Sequence, residues 1–295
     1  RRGCFGAPVP AAFFQNPPAS PERNAMKRLL AFTFVLFFTA GAAFGQSNDA
    51  TVEQADQNNE ATLTQFGDGN VADIFQGKAE DLGLRPGMSV ENDATVFQNG
   101  VENAATVFQG IGPIGIAKEN AASITQVGEE NNADIFQGTF FSGTAKENTA
   151  KIDQDDDEND ALIEQGVSGT AEENAAEIEQ SEGGNRADIG QGAAVSGTAE
   201  ENTAVIEQEG DFNDAEIEQG TIGGTAEKNT ADIIQDGDEN DAEIHQGFGF
   251  GTAEGNTADI EQEGDFNDAE IHQNVEFGTV EESTADIAQD GDEND

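Results

Sequence analysis

Apolar and polar residues alternate along almost the whole chain after residue 47. The unit Asn-x-Ala-x-[Ile/Val/Leu]-x-Gln first occurs at Asn48–Gln54 and recurs through Asn267–Gln273, and an eighteenth copy, Ser283–Gln289, has Ser in place of Asn. A period of two puts Asn, Ala, Ile and Gln on one face of a β-strand, while Asp, Glu, Thr and Lys occupy the other. The pattern therefore predicts half-buried strands whose invariant face points into a core.

The spacing between copies predicts how the strands are connected. Links of four residues, as between Gln235 and Asn240, alternate with links of roughly 8–10 residues, as between Gln191 and Asn202. Seven of the short links have Gly at their second position, where a tight turn can use a positive φ. One circuit takes 27 residues, as between Asn202 and Asn229. We expect an all-β protein, a β-solenoid of about nine two-strand rungs, because an antiparallel meander would not explain the alternation of links.

Stacked rungs place each residue on its equivalent about 4.8 Å away, so Asn is expected above Asn and Gln above Gln in amide ladders. The rungs are expected to start near residues 59, 92, 120, 148, 174, 202, 229, 256 and 283. The ladder residues of the most regular copies are Asn202, Gln208, Asn213, Gln219, Asn229, Gln235, Asn240, Gln246, Asn256, Gln262, Asn267 and Gln273. The matching core residues are Ala204, Ile206, Ala215, Ile217, Ala231, Ile233, Ala242, Ile244, Ala258, Ile260, Ala269 and Ile271.

The charge limits the partners. The chain has 60 acidic and 12 basic residues, a formal net charge of −48. Phosphate binding needs clustered Lys and Arg, so nucleic acid is not expected as a partner. Anionic membranes would repel the chain, whereas cations and high ionic strength would favour its compact state.

The first 45 residues differ from the rest. Residues 26–45 begin with Met26 and combine a basic start, an apolar run and small residues before Gly45, which predicts a secretory signal peptide. The apolar run is shorter than the roughly 20 residues of a spanning helix, so membrane insertion of the mature chain is not expected. Residues 1–25, which include the single cysteine Cys4, are interpreted as an upstream extension or a mis-assigned start. Residues 46–58 form an N-terminal segment with one repeat unit, and 59–295 form the repeat domain.

The segments QVGEENNADIFQ (126–137) and QDGDENDAEIHQ (235–246) resemble the curlin repeat, and the resemblance covers residues 48–295. Curlins are secreted subunits of curli, the bacterial extracellular amyloid fibres of biofilm matrix and adhesion. The resemblance implies a stacked β-solenoid that polymerises end to end, with a nucleator subunit and export machinery as partners. The chain differs from curlins by its charge, its longer rung, its lack of Tyr and its Asn where curlins often carry Ser.

The short turns carry paired carboxylates at equivalent positions of successive rungs. They are Glu209, Asp211, Asp236, Asp238, Glu263, Asp265, Asp290 and Asp292. Oxygen-only clusters suit Ca²⁺, so a column of Ca²⁺ sites is one interpretation. A solvated turn that keeps the chain soluble is the other, and Asn240 is excluded as a loop ligand because it belongs to the inward ladder.

Repeat chemistry without legible caps predicts a structural fibre subunit, and the curlin resemblance implies a location on the surface of, or outside, a bacterium. The alternative is a monomeric acidic solenoid, such as a Ca²⁺-dependent or surface-binding adhesin; the incomplete copy that begins at Asn294 also leaves a truncated adhesin open. Enzyme activity is not expected, since His245 and His272 are copies of one surface position without a third catalytic member. Phe75, Phe97, Phe108 and Phe136 are expected to face outward.

Overall fold

A computed structural model describes residues 47–54, 58–77, 88–110, 116–138, 144–166, 170–192, 198–219, 225–246, 252–273, 279–291 and 294. The predicted upstream extension and signal peptide, and Asp292 of the predicted turn clusters, lie outside these residues. Within them every regular element is a β-strand. The same residues contain no helix that is long and apolar enough to cross a membrane.

Each rung begins with a strand of sheet 1, which has nine strands. These are β2 (Glu60–Asp68), β5 (Asp93–Val101), β8 (Ala121–Glu129), β11 (Thr149–Asp155), β14 (Ala175–Ser181), β17 (Thr203–Glu209), β20 (Thr230–Asp236), β23 (Thr257–Glu263) and β26 (Thr284–Asp290). Every strand starts one residue after a predicted rung start, so the predicted rungs are confirmed.

A short turn leads from each strand of sheet 1 into sheet 2, which also has nine strands. These are β1 (Asp49–Gln54), β3 (Val71–Gln76), β6 (Ala104–Gln109), β9 (Asn132–Gln137), β12 (Asp160–Gln165), β15 (Arg186–Gln191), β18 (Asp214–Gln219), β21 (Asp241–Gln246) and β24 (Asp268–His272).

The long links contain a third strand of three residues, which the sequence analysis did not predict. Eight such strands form sheet 3. They are β4 (Met88–Val90), β7 (Ile116–Lys118), β10 (Thr144–Lys146), β13 (Thr170–Glu172), β16 (Thr198–Glu200), β19 (Thr225–Glu227), β22 (Thr252–Glu254) and β25 (Thr279–Glu281). Each complete rung therefore has three strands, two long and one short.

All pairings are parallel and in register, so equivalent residues of successive copies lie side by side. Ile206 pairs with Ile233, and Ile233 with Ile260. Antiparallel pairing is excluded for the described strands, and the predicted β-solenoid is confirmed.

The core between sheets 1 and 2 consists of the Ala and Ile or Val columns. Every Ala and Ile predicted for the core is buried, from 0% exposure at Ile206 to 7% at Ala269. The alternation along β21, from Ala242 and Ile244 inside to Glu243 outside, is the one the sequence predicts. Burying one Ile side chain contributes roughly 1.5–3 kcal/mol, and its repetition in each rung offsets the repulsion between carboxylates outside.

The turn glycines adopt the predicted positive φ. Their values range from 103° at Gly67 to 152° at Gly100. The rungs also approach closely there, since a Cβ on Gly237 would lie 2.4 Å from the carbonyl oxygen of Gly264. Both conditions favour glycine. The corner between sheets 3 and 1 uses a left-handed residue as well, for example Glu201 with φ 52°.

Candidate functional site: the ladders, the end strands and the outer faces

Two Gln ladders run along the solenoid axis on the core side. In sheet 1, Nε2 of Gln208 donates to Oε1 of Gln235 at 2.9 Å, and Gln235 donates to Gln262 at the same distance. The second N–H of Gln235 donates to the carbonyl oxygen of Asp214 in sheet 2 at 3.1 Å. Each such amide therefore joins its rung to the next one along sheet 1 and to sheet 2 of the preceding rung, and its buried polar atoms are satisfied.

The Asn columns contain the expected amide-to-amide ladder at the start of the sheet 1 strands and also a backbone bond that was not predicted. The backbone N–H of Asn229 donates to Oδ1 of Asn202 at 2.9 Å, and that of Asn256 donates to Oδ1 of Asn229 at 3.1 Å. At the start of the sheet 1 strands a hydrogen bond between the side-chain amides accompanies it, as from Nδ2 of Asn256 to Oδ1 of Asn229 at 3.1 Å. Beside the short turns the Asn amide instead caps turn carbonyls, as from Nδ2 of Asn159 to the oxygen of Glu182 at 2.8 Å. The Asn column thus serves the backbone at each corner.

The ladder of sheet 2 is interrupted near its C-terminal end. Gln191 donates to Gln219 at 3.1 Å, but Oε1 of Gln246 is buried without a hydrogen-bond partner. Gln219, Gln246 and Gln273 still donate to sheet 1, for example from Gln246 to the oxygen of Thr230 at 2.9 Å. The predicted Gln ladder therefore lacks its side-chain bond to Gln246 at this step, although its residues face the core as expected.

The two main sheets are offset by one strand at both ends. Strand β1 pairs with β3, and β3 shares a rung with β2, so β1 belongs to the rung before β2. Strand β26 pairs with β23, and β23 shares a rung with β24, so β26 belongs to the rung after β24. One end of the described stack is thus a half rung of sheet 2, and the other is a half rung of sheet 1.

The turn carboxylates have a structural role that the sequence analysis missed. Oδ1 of Asp238 accepts a hydrogen bond from the backbone N–H of Asp211 at 2.9 Å. Oδ1 of Asp265 accepts one from the N–H of Asp238 at 3.1 Å, and Oδ1 of Asp211 one from Gly183 at 2.9 Å. Each aspartate therefore satisfies a turn N–H of the preceding rung. The Asp that directly follows the turn glycine in the last four short turns was the available signal.

The remaining predicted Ca²⁺ ligands lie at the ends of sheet 1 strands. Glu209, Asp236, Glu263 and Asp290 are stacked in register in the described strands. Within the described residues, the groups of three or more potential ligands whose atoms lie within 4.8 Å include none of these turn residues. Calcium binding at the turns stays a prediction.

The outer face of sheet 2 holds carboxyl groups with perturbed pKa values. Burial, together with Glu216 and Glu164, raises the pKa of Asp188 from 3.8 to about 7, against the opposing effect of Arg186. Burial likewise raises the pKa of Glu164 and of Glu218. Gly190 lies between these two glutamates in the stacked column. The carboxyl groups around that glycine therefore share a partly dehydrated region.

Outer-face residues of sheet 1 include a compensating cation. Nζ of Lys151 lies 2.8 Å from Asp153, and 2.6 Å from both Glu177 and Glu179. Burial opposes its charge, but these three hydrogen-bonded carboxylates raise the pKa of Lys151 overall. One cation thus bridges two successive rungs of like charges.

Aromatic residues stack along sheet 2 in the N-terminal half. The ring centroids of Phe75 and Phe108 are 4.8 Å apart, and those of Phe108 and Phe136 are 5.1 Å apart, with planes within 9° in both pairs. These residues lie on the face opposite the core, as predicted, and are half-buried through stacking with one another.

His245 and His272 occupy the same column further along sheet 2, and carboxylates lie within hydrogen-bonding distance of both. The sequence analysis recognised the shared position but not the carboxylates around it.

No protein-family model matches the chain, and a comparison with curated proteins finds no similar sequence.

Proposed function

We propose that the protein is a secreted structural subunit of an extracellular, curli-like fibre that supports biofilm matrix and adhesion, and that it polymerises by adding one solenoid to the end of another. The observation that carries this proposal is the parallel, in-register pairing of successive rungs, which a second copy of the chain can continue along the same axis. If one copy follows another along the axis, β1 of the second copy fills the place beside β24 of the first. Strand β2 of the second copy then pairs with β26, and β26 and β1 become the two long strands of one rung across the junction.

The direction of the hydrogen bonds in the ladders also supports head-to-tail addition. Every described Gln-to-Gln bond runs from an earlier rung to a later one, as from Gln262 to Gln289. The Asn columns run the opposite way, from the N–H of Ser283 to Oδ1 of Asn256. The two ends of the stack therefore carry different, complementary groups. Such a contact is heterologous, and contacts of this kind produce open filaments rather than closed oligomers.

The layout of residues 26–45 supports export, and the curlin resemblance of residues 48–295 supports an extracellular bacterial location with a nucleator and export machinery as partners. The fibre is expected to need acid, salt or cations, because stacked carboxylates about 4.8 Å apart repel one another.

The experiment uses a variant that changes only the exposed edge of β26. The N–H of Thr257 donates to the oxygen of Ser283, so alternation in a parallel pair directs the N–H of Asp286 away from β23. Asp286→Pro removes that outward donor, and proline is tolerated on an edge strand. Asp286→Ala is the matched control, because it removes the carboxylate and keeps the N–H.

Seeded growth is followed by dye fluorescence at several pH values with and without Ca²⁺, and fibres are checked for a cross-β reflection at about 4.7–4.8 Å. We expect wild type and Asp286→Ala to elongate, and Asp286→Pro to stay monomeric with an unchanged circular dichroism spectrum. Substoichiometric Asp286→Pro should also slow wild-type growth, since it can add through β2 and then block the new end. A wild-type chain that stays monomeric under all these conditions overturns the proposal and favours the monomeric adhesin; unimpaired growth of Asp286→Pro overturns the proposed junction.

A further inference from the structure

Two histidines and several glutamates meet on the outer face of sheet 2, across β18, β21 and β24. His245 and His272 are direct neighbours in the β21–β24 pair. Their rings are stacked with centroids 4.8 Å apart and planes 3° apart. Glu243 lies two residues before His245, on the same face of the strand. The ladders and the core use none of these side chains.

The distances within this cluster are short. Oε1 of Glu243 lies 2.7 Å from Nε2 of His245 and 3.6 Å from Nε2 of His272. All three ligand atoms lie within 4.8 Å of one another. Glu216 and Glu218 on β18 form a second group of this kind with the same His245, and Oε2 of Glu218 is 3.9 Å from Nε2 of His245.

We propose that His245, His272 and Glu243 bind one divalent transition-metal ion, such as Zn²⁺ or Cu²⁺, with Glu218 or water as the fourth ligand. Zinc–nitrogen and zinc–oxygen bonds of about 2.0–2.2 Å in a tetrahedral site place ligand atoms roughly 3.3 Å apart. The distances of 2.7 Å and 3.6 Å from Glu243 to the two imidazoles lie on either side of that value. Binding requires the rings to tilt out of their parallel stack toward a shared ion, and their partly exposed position allows this.

A further glutamate orients one of the proposed ligands. Nδ1 of His272 lies 2.9 Å from Oε1 of Glu270. A carboxylate on the distal nitrogen fixes the tautomer and ring orientation of a metal-bound histidine and increases its basicity. The contact leaves Nε2 of His272 directed toward Glu243. Glu270 is therefore a positioning residue of the site.

The chemistry of the ligands selects the kind of ion. Imidazole favours Zn²⁺, Cu²⁺ and Ni²⁺, whereas Ca²⁺ and Mg²⁺ prefer oxygen ligands alone. The net charge of −48 raises the concentration of all cations near the surface. Nonspecific attraction of cations is thus common to the whole chain, whereas the imidazole ligands that favour transition metals come from these two histidines. The site is independent of polymerisation.

The fold does not need histidine at these positions, because the same column holds Glu164, Gly190 and Glu218 in earlier rungs. His245→Gln, His272→Gln and the double variant are therefore expected to fold. Glu164→Gln is the matched control, since it removes an acidic group from the same column three strands away. Glu270→Gln tests the positioning role.

Binding of Zn²⁺ to the soluble full chain is measured by calorimetry in millimolar Ca²⁺, and Co²⁺ provides visible absorption bands that report coordination geometry. We expect one Zn²⁺ per chain, affinity weakened at least about tenfold by either single histidine variant, and loss of binding in the double variant. Glu270→Gln should weaken binding about tenfold without changing the stoichiometry, while Glu164→Gln should bind like wild type. Affinity should fall on acidification because imidazole must be neutral to bind. Binding that survives loss of both histidines, or that Ca²⁺ abolishes in wild type, overturns the proposal.

Discussion

Asp188→Asn is expected to stabilise the folded chain at neutral and alkaline pH and to change its stability little in acid. Asp188 lies on β15, and its side chain is 27% exposed. Burial and the neighbouring Glu216 and Glu164 raise its pKa from 3.8 to about 7, while Arg186 opposes them. At pH values between 3.8 and about 7, the Asp188 carboxyl group is ionised in the unfolded chain and protonated in the folded chain. Ionisation of this group in the folded state therefore costs free energy.

The magnitude follows from the two pKa values. Their difference corresponds to about 4 kcal/mol at 1.36 kcal/mol per pKa unit. The contribution of the Asp188 carboxyl group to the free energy of unfolding is fully present below pH 3.8 and is lost as the pH rises to about 7. Asparagine does not titrate, so the variant should exceed wild type by about 2–4 kcal/mol above pH 7, where residual contact with water reduces the upper figure.

Guanidinium chloride unfolding followed by circular dichroism, in acid and above pH 7 at low protein concentration, measures this difference. Asp286→Asn is the matched control, because it makes the same substitution at an exposed aspartate on the last strand of sheet 1. A difference between Asp188→Asn and wild type that is equal in acid and in base would refute the reasoning. So would a variant less stable than wild type above pH 7.

Three further predictions concern the backbone, and chemical unfolding of each variant tests them. Gly237→Ala should destabilise the chain by more than about 1 kcal/mol, because Gly237 has a φ of 128° and the new Cβ would clash with the carbonyl oxygen of Gly264. Gly291→Ala is the control and should cost less, because Gly291 has a φ of 111° but no atom within 4 Å of the added Cβ. Equal losses of stability in the two variants would show that the close approach is unimportant. Asn213→Ala should cost about 1–3 kcal/mol, since it leaves the buried N–H of Asn240 without its acceptor at 2.9 Å; a neutral result would contradict the role of the Asn column. Glu201→Gly should stabilise by about 1 kcal/mol, because Glu201 has φ 52° where Gly255 has 60° in a later rung; a loss of stability would mean that the Glu201 side chain outweighs the backbone strain.

The strands, their rungs and the turn glycines could be predicted because each depends on a local pattern that recurs many times. The third strand could not, since its three residues contain neither the fixed Asn nor the fixed Gln and pair only because the rungs are already stacked. The direction of the Asn bonds was also hidden, because it depends on which backbone N–H faces Oδ1 of Asn202.

The chemistry of the outer faces could likewise be predicted from the sequence only in part. Sequence placed His245 and His272 at one position, but the role of Glu270 required side-chain geometry. The pKa of Asp188 depends on neighbours in two other rungs, Glu164 and Glu216, which no local window contains. The use of Asp238 as an acceptor likewise depends on the preceding rung. Interactions between rungs are thus what the repeat pattern alone leaves undetermined.

The constant register of the rungs has a consequence for how such a gene can change. Asn202, Asn229 and Asn256 are joined by hydrogen bonds spanning 27 residues each, and the strands they begin pair in identical register. Deleting residues 229–255, or duplicating them, therefore joins one rung to its equivalent without shifting any strand. Recombination between misaligned repeats would shorten or lengthen the protein by whole rungs. Length can vary in inheritance while the cross-section of the solenoid stays the same.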